Sequence, residues 1–131
     1  MDIWIDNCFF KLKKSNYTIF QYCAKIGINL PCFCYHERLS IAGNCRICIV
    51  EANNALVVSC ATLLLDNMKI FTKTKRIKKA REGVLEFLLS SHPLDCPICD
   101  QAGDVIYKIY YLYTVVLGVD FMNWIKKPLM I

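Results

Sequence analysis

The sequence predicts an α+β fold, and its first 27 residues carry the clearest reasons. Apolar residues alternate over residues 2–6 and again over 9–14, and Asp6-Asn7 between them supplies turn chemistry, so we expect a β-hairpin. Thr18 can then cap a helix over about residues 19–25, which Gly27 would end. A hairpin followed by a helix is how a β-grasp domain begins.

Further strands and one longer helix are predicted after this start. Residues 47–52 and 55–59 favour two short strands joined at Asn53-Asn54, and residues 69–72 favour another. From 74 to 91 the periodicity becomes helical, and its apolar face contains Ile77, Ala80, Val84, Leu88 and either Phe87 or Leu85. We therefore predict a β-grasp domain over residues 1–72, followed by a helical segment that begins at 73.

The most informative motif is a set of four cysteines in the order C-x10-C-x2-C-x11-C, namely Cys34, Cys45, Cys48 and Cys60. A 2Fe-2S cluster needs two thiolates for each iron, and a loop that carries several of them suits that need. Gly43 can take the positive φ that a tight loop requires. The first gap is longer than in plant-type ferredoxins, which indicates a narrower family.

Two other uses of the cysteines stay open at this point. A structural zinc ion could be held by two C-x2-C motifs, Cys45 with Cys48 and Cys96 with Cys99, but that would leave Cys34 and Cys60 without a role. A disulfide scaffold fits less well, because the nine cysteines are odd in number and we expect no signal peptide at the start of the chain. A reducing compartment is the better interpretation.

The remaining candidate ligands have simpler interpretations. Cys23 falls on the apolar face of the first helix and is expected to be a small core residue. Cys8 lies near the hairpin turn and Cys32 beside the cysteine loop. Histidine ligates some 2Fe-2S centres, but four cysteines suffice here, so we interpret His36 as a hydrogen-bonding loop residue.

Composition and charge narrow the function further. The chain has 131 residues, a net charge of +5 and 56% hydrophobic residues, which suggests burial in an assembly. Basic residues between 73 and 81 are interleaved with aliphatic core positions rather than stacking aromatics, so we expect an acidic partner protein and no nucleic acid. The sequence has no catalytic triad, phosphate-binding glycine loop or pair of catalytic carboxylates. We expect the chain to bind neither NADH nor quinone.

The tail contains an apolar stretch over residues 105–119 that includes Lys108. A helix that spans a membrane needs about 20 residues with few charges, so we expect no membrane span. The β-branched and aromatic residues of the stretch favour a strand or a helix that packs on a partner.

Two blocks of sequence carry a resemblance to a known family. FCYHERLSIAGNCRICIVE at residues 33–51 and KAREGVLEFLLSSHPLDCPICDQAG at 79–103 closely resemble the largest iron-sulfur subunit of respiratory complex I, the NADH:ubiquinone oxidoreductase. The resemblance covers roughly residues 1–104, so it implies that the helical segment extends over 73–104 and that residues 105–131 are a divergent tail that packs on a partner. It implies a 2Fe-2S ferredoxin-like β-grasp domain followed by a small helical domain that holds a 4Fe-4S cluster.

The resemblance also implies roles for particular residues. It makes the four cysteines of the motif the 2Fe-2S ligands, and it makes His92, Cys96 and Cys99 three ligands of a second, 4Fe-4S cluster. The fourth ligand of that cluster should stand at Val105, which has no donor atom. We expect the second cluster to be altered or lost, the alternative being a substitute ligand such as Asp104 or a side chain from another chain.

The resemblance implies an electron carrier rather than a chain with its own substrate site. It would pass electrons from the NADH and flavin side towards quinone, next to other peripheral-arm subunits that include the flavin-bearing one. A separate chain could carry the rest of the family subunit. The expected location is the matrix side of the mitochondrial inner membrane, or the cytoplasmic side in a bacterium. A free-standing 2Fe-2S ferredoxin and a structural metal-binding remnant are the alternatives.

Overall fold

The computed structural model describes residues 1–13, 16–93 and 98–101. The chain divides into two units, one over Met1–Val84 and the other from Leu85 onwards. Their elements, in chain order, are β1 (Asp2–Ile5), β2 (Cys8–Lys11), α1 (Ile19–Lys25), β3 (Ile49–Ala52), β4 (Ala55–Val58), β5 (Met68–Phe71) and α2 (Lys75–Ser90). The predicted boundaries at residues 72 and 104 stay predictions, and the tail over 105–131 lies outside the described residues.

Two hairpins form at the predicted dipeptides. Asp6 and Asn7 have φ values of 48° and 70°, and Asn53 and Asn54 have 47° and 66°. Two consecutive positive φ values are those of a type I′ turn, whose twist matches that of the flanking strands, and Asn and Asp adopt them at lower cost than most residues. Strands β1 and β2 and strands β3 and β4 are accordingly antiparallel pairs.

The strands form one five-stranded sheet in the order β2-β1-β5-β3-β4. Strand β5 pairs in parallel with β1, with Ile3 opposite Met68 and Ile5 opposite Ile70, and it pairs antiparallel with β3. A hairpin, a helix and a later strand that returns parallel to the first make the β-grasp arrangement. The predicted α+β fold is confirmed.

Helix α1 begins and ends where the sequence predicts. The Thr18 hydroxyl accepts a hydrogen bond from the Gln21 N–H at 3.2 Å, and the Gln21 side chain accepts one from the Thr18 N–H at 3.0 Å. This reciprocal capping box satisfies N–H groups that the first turn of a helix leaves unpaired. Gly27, at φ 82°, follows the end of the helix.

The core lies between α1 and the sheet. It is formed by buried side chains of the helix, the strands and the segments that follow α1 and precede β5: Ile3, Ile5, Ile19, Tyr22, Cys23, Leu30, Val50, Ala52, Leu64, Met68 and Ile70. Cys23 is a core residue, as predicted. Burial, together with the negative charge of Asp6, raises the pKa of its thiol to about 12.

Helix α2 follows β5 and uses one face for burial. Thr74 caps it, since its hydroxyl accepts a hydrogen bond from the Ile77 N–H at 3.2 Å. Of the two alternatives for the apolar face, Leu85 is buried whereas Phe87 is 78% exposed. Across the part of the chain that the structure describes, no helix has the length and apolar character to cross a membrane.

Candidate iron-sulfur site

A loop of irregular backbone carries three of the four predicted ligands between α1 and β3. Strand β3 begins at Ile49, two residues later than predicted, because Ile47 and Cys48 complete this loop. Gly43 has φ 65°, and a Cβ there would lie 3.8 Å from the Cβ of Ala61. Arg46 also has a positive φ, 58°. These two left-handed residues let the loop turn sharply.

Cys34 and Cys45 form what we call the outer pair, because both side chains are partly exposed. The Cys34 and Cys45 side chains are hydrogen-bonded to each other. The Cys34 sulfur also accepts from the N–H groups of Gly43, Asn44 and Cys45, and the Cys45 sulfur accepts from those of Ile47, Phe33 and Cys34. Backbone N–H groups aimed at sulfur stabilise negative charge there.

Cys48 and Cys60 form the inner pair, and both are buried. The Cys48 and Cys60 side chains are hydrogen-bonded to each other. Ser59 fixes the backbone between them, because its N–H and its hydroxyl both donate to the Cys48 carbonyl, at 3.3 Å and 2.7 Å. These two hydrogen bonds hold Cys48 close to Cys60, the residue after Ser59, although the two cysteines are distant in sequence.

The environments of the two pairs act differently on their acidity. Burial raises the pKa of Cys34, but hydrogen bonds from the N–H groups of Cys45, Asn44 and Gly43 outweigh it, so the pKa lies below its usual value. Burial and the neighbouring Cys48 raise the pKa of Cys60 to about 12. A buried pair of thiolates therefore needs a compensating positive charge, such as iron.

The first turn of α1 supports the segment that carries Cys60. The Ile19 N–H donates to the Thr62 carbonyl at 2.9 Å, and the Phe20 N–H donates to the Ser59 carbonyl at 3.1 Å. The same helix supports the other end of the loop, since the Phe20 and Tyr35 rings lie 4.7 Å apart between centroids. Helix α1 thus bridges both segments that bring cysteines to the site.

Cys32 and His36 border the site in an open cleft of about 470 Å³. Burial and the nearby cysteines of both pairs raise the pKa of the Cys32 thiol. This thiol donates a hydrogen bond to the Tyr35 carbonyl at 3.7 Å. His36 accepts a hydrogen bond at Nδ1 from the Arg38 N–H at 3.2 Å. The interpretation of His36 as a hydrogen-bonding loop residue is confirmed.

The donor set fits a 2Fe-2S cluster. Its four thiols lie in two pairs, and the cluster requires two thiolates on each of two irons. Within the described residues, no three His, Cys, Asp or Glu side chains converge as a single bound ion would require. The zinc alternative depends partly on Cys96, which lies outside the described residues.

The predicted second site is described only in part. His92 is half-buried, its N–H donates to the Leu89 carbonyl at 3.2 Å, and Cys99 is exposed. Cys96, Asp104 and Val105 lie outside the described residues. The ligand set of this site therefore stays a prediction.

The polar contacts between α2 and β3 were not predicted from sequence. Glu51 is buried and accepts hydrogen bonds from Arg76 at 2.6 Å and from Thr74 at 2.9 Å. Arg81 donates to the Ile49 carbonyl at 2.8 Å. Both arginines belong to a basic run that is typical of a solvated helix face. Only the helical spacing of the apolar residues in α2 indicates that Arg81 stands next to the buried face.

A β-grasp sheet with this cysteine loop defines the class of 2Fe-2S ferredoxin-like domains. Residues 14–75 match the family model of the 2Fe-2S iron-sulfur cluster binding domain. The fold is also that of a solved NAD⁺-reducing [NiFe]-hydrogenase in the H2-reduced state, with a TM-score of 0.75 and 24% identity over 84% of this chain and 47% of that one.

More particularly, the chain is similar to the 75 kDa iron-sulfur subunit of NADH-ubiquinone oxidoreductase, as its sequence suggests. It is 59% identical over 106 residues to that subunit from Reclinomonas americana, a match that covers 79% of this chain and 15% of the relative. It is 57% identical over 89 residues to a subunit of the NADH-quinone oxidoreductase of Rickettsia bellii, covering 66% of this chain and 13% of the relative.

A second family model reaches beyond the β-grasp domain. Residues 81–104 match the NADH-ubiquinone oxidoreductase-G iron-sulfur binding region. The chain is also 53% identical over 106 residues to the mitochondrial NADH dehydrogenase [ubiquinone] iron-sulfur protein 1 of Solanum tuberosum, a match that covers 79% of this chain and 14% of the relative. The chain thus spans about 15% of the length of these relatives.

Proposed function

We propose that this chain is an electron-transfer iron-sulfur component of NADH:ubiquinone oxidoreductase. Cys34, Cys45, Cys48 and Cys60 hold its 2Fe-2S cluster, and electrons pass through it from the NADH and flavin side towards quinone. The observation that carries the proposal is the outer and inner thiol pairs, which lie together in a domain that matches the 2Fe-2S family model.

When bound, a 2Fe-2S cluster accepts and donates one electron at a time. The protein's part is to hold the sulfurs and to stabilise their charge. N–H groups of the loop donate to the outer pair, and the double hydrogen bond of Ser59 fixes the inner pair. Burial of Cys48 and Cys60 keeps water away from one side of the site, while the partly exposed outer pair leaves a route for electrons.

The partners follow from the same proposal. The chain docks on other peripheral-arm subunits, including the flavin-bearing one, and a separate chain carries the remainder of the family subunit. Its relatives are named as mitochondrial or bacterial proteins. We place it on the matrix side of the mitochondrial inner membrane, and we expect co-purification with a respiratory complex to test this assignment.

The proposal about the second site is that its cluster is altered or lost. His92, Cys96 and Cys99 supply three donors, and Val105 supplies none in the place where the resemblance requires a fourth. Removal of one of four ligands costs much of a metal's binding free energy. The helical segment over 73–104 would then keep its fold-supporting role.

The cluster is tested by anaerobic reconstitution of the whole chain, followed by iron and sulfide analysis and by electron paramagnetic resonance after reduction. We expect about two irons and two sulfides per chain and one 2Fe-2S signal. Cys60→Ser should lower the signal more than tenfold, whereas Cys8→Ser, which alters an exposed cysteine, should leave it unchanged. Zinc without iron in the wild-type protein would overturn the proposal.

A further inference from the structure

The guanidinium of Arg81 is unusual among the described cations. Its Nη2 donates to the Ile49 carbonyl at 2.8 Å, but its Nε is buried and has no hydrogen-bond partner among the described residues. Burying part of a charged group without full pairing costs free energy, which the protein offsets only where the group has a use.

The position of Arg81 follows from the direction of α2 along β3. Near the start of the helix, Arg76 donates to the Asn54 carbonyl at 3.0 Å, at the turn end of β3. Five residues later, after about 7.5 Å of helix rise, Arg81 reaches the carbonyl of Ile49 at the other end of that strand. Ile49 directly follows Cys48, so Arg81 lies at the end of β3 that meets the inner pair.

The charge of Arg81 is not cancelled by its neighbours in the described part of the chain. The nearby buried carboxylate, Glu51, is already paired with Arg76 at 2.6 Å and accepts a hydrogen bond from Thr74. The ion pairs between described residues do not include Arg81. Among the described residues its positive charge therefore has no carboxylate partner, and its Nη2 is held at the carbonyl of the residue that follows Cys48.

We infer that Arg81 is a positioning residue that raises the reduction potential of the cluster, through its positive charge and its hydrogen bond to the carbonyl of Ile49, the residue that follows Cys48. The inference rests on the proposed function. Reduction adds one electron, supplied by a reduced flavin or by dithionite, and so adds one negative charge to the cluster. A fixed cation in a partly buried setting stabilises the reduced state more than the oxidised state.

Redox titration of the reconstituted whole chain, followed by electron paramagnetic resonance, tests this inference. We expect Arg81→Gln to lower the equilibrium constant for reduction by about threefold to tenfold, the upper figure corresponding to about 59 mV for a one-electron couple. Arg81→Lys keeps the charge and should stay within about twofold of wild type. Lys79→Gln removes the same charge from an exposed position of the same helix and is the matched control.

The salt dependence gives a second measurement. The difference between Arg81→Gln and wild type should persist at high salt, because partly buried charges are screened less than exposed ones. Any small effect of Lys79→Gln should disappear under the same conditions. An equal shift in both variants, or no shift in Arg81→Gln, overturns the inference.

Cluster content separates the possible failures. A wild-type chain without iron and sulfide would defeat the proposed function itself, whereas a normal cluster with an unshifted potential in Arg81→Gln would defeat only the role of Arg81. A second neutral variant, Arg81→Met, covers poor folding of the first. If neither neutral variant binds a cluster while Arg81→Lys does, the residue has a structural role and the inference is overturned.

Discussion

The cysteine loop and the segment after α2 differ in the ligand sets that the resemblance predicts for them. The loop brings four thiols into two pairs, and backbone N–H groups and α1 support them. In the later segment Cys99 and its neighbour Ile98 are exposed, and the resemblance puts Val105 where a ligand should stand. Yet residues 81–104 still match an iron-sulfur family model. The family match thus extends through a region for which we predict an incomplete ligand set.

Restoring the missing donor is the strongest test of this difference. We expect Val105→Cys, reconstituted anaerobically, to raise the iron content from about two to about six per chain, because it completes the predicted ligand set of a 4Fe-4S cluster in addition to the 2Fe-2S cluster. Iron analysis and a second signal in electron paramagnetic resonance would measure the gain.

The double variant Val105→Cys/Cys99→Ser is the control, and it should return to about two irons because it again lacks one ligand. Two results would contradict our interpretation of the second region. About six irons in the wild-type chain would show that another donor replaces Val105. No gain in Val105→Cys would show that the segment cannot hold a cluster even when its ligands are complete.

The second prediction concerns the polar contacts that hold α2 on β3 next to the loop. We expect Glu51→Ala to lower the free energy of unfolding by about 2 kcal/mol, or the melting temperature by about 8 °C. It removes a buried acceptor and leaves Arg76 and Thr74 without their partner. The contribution of the ion pair between Glu51 and Arg76 is small because the Arg76 side chain is 58% exposed and solvent screens its charge.

Lys78→Ala is the matched control for this prediction. It removes a surface ion pair with Glu82 at 3.9 Å, which is worth at most about 0.5 kcal/mol. Thermal unfolding followed by circular dichroism would compare the two. Equal changes would mean that the Glu51 contacts do not stabilise the first unit.

The third prediction tests the support that α1 gives to the inner pair. Thr18→Ala removes the capping box and should cost about 1 kcal/mol of stability, whereas Thr18→Ser keeps the hydroxyl and should cost less than about half of that. Because the next two N–H groups hold the segment of Cys60, the alanine variant should also lose its cluster faster. The decay of visible absorption in the presence of a chelator measures that rate.

Much of the fold and half of the site could be predicted from sequence, for physical reasons. The two hairpins and helix α1 were predictable because local signals specify them. These signals are the Asn and Asp residues of the turns, the Thr18 cap and the alternation of apolar residues in the strands. The spacing of the four cysteines indicated the cluster. The uses of Glu51 and Arg81 could not be predicted, because contacts between distant segments decide whether a charged residue on a helix is solvated or buried. Phe87 and Leu85 are equally apolar, and only packing distinguishes them.

The smallest expected effect concerns Cys23, a core cysteine that is not among the four predicted cluster ligands. Burial raises the pKa of Cys23 from 9.0 to about 12, so its thiol stays protonated in the folded chain at a pH where the unfolded chain ionises. Stability is therefore complete below pH 9 and falls as the pH rises from about 9 towards 12. At pH 9.5 the loss should be about 0.8 kcal/mol relative to pH 7. Cys23→Ala lacks this thiol, so between pH 7 and 9.5 its free energy of unfolding should fall by about 0.8 kcal/mol less than that of wild type. Urea titrations at the two pH values measure both proteins. Parallel pH curves would mean that Cys23 is accessible to water.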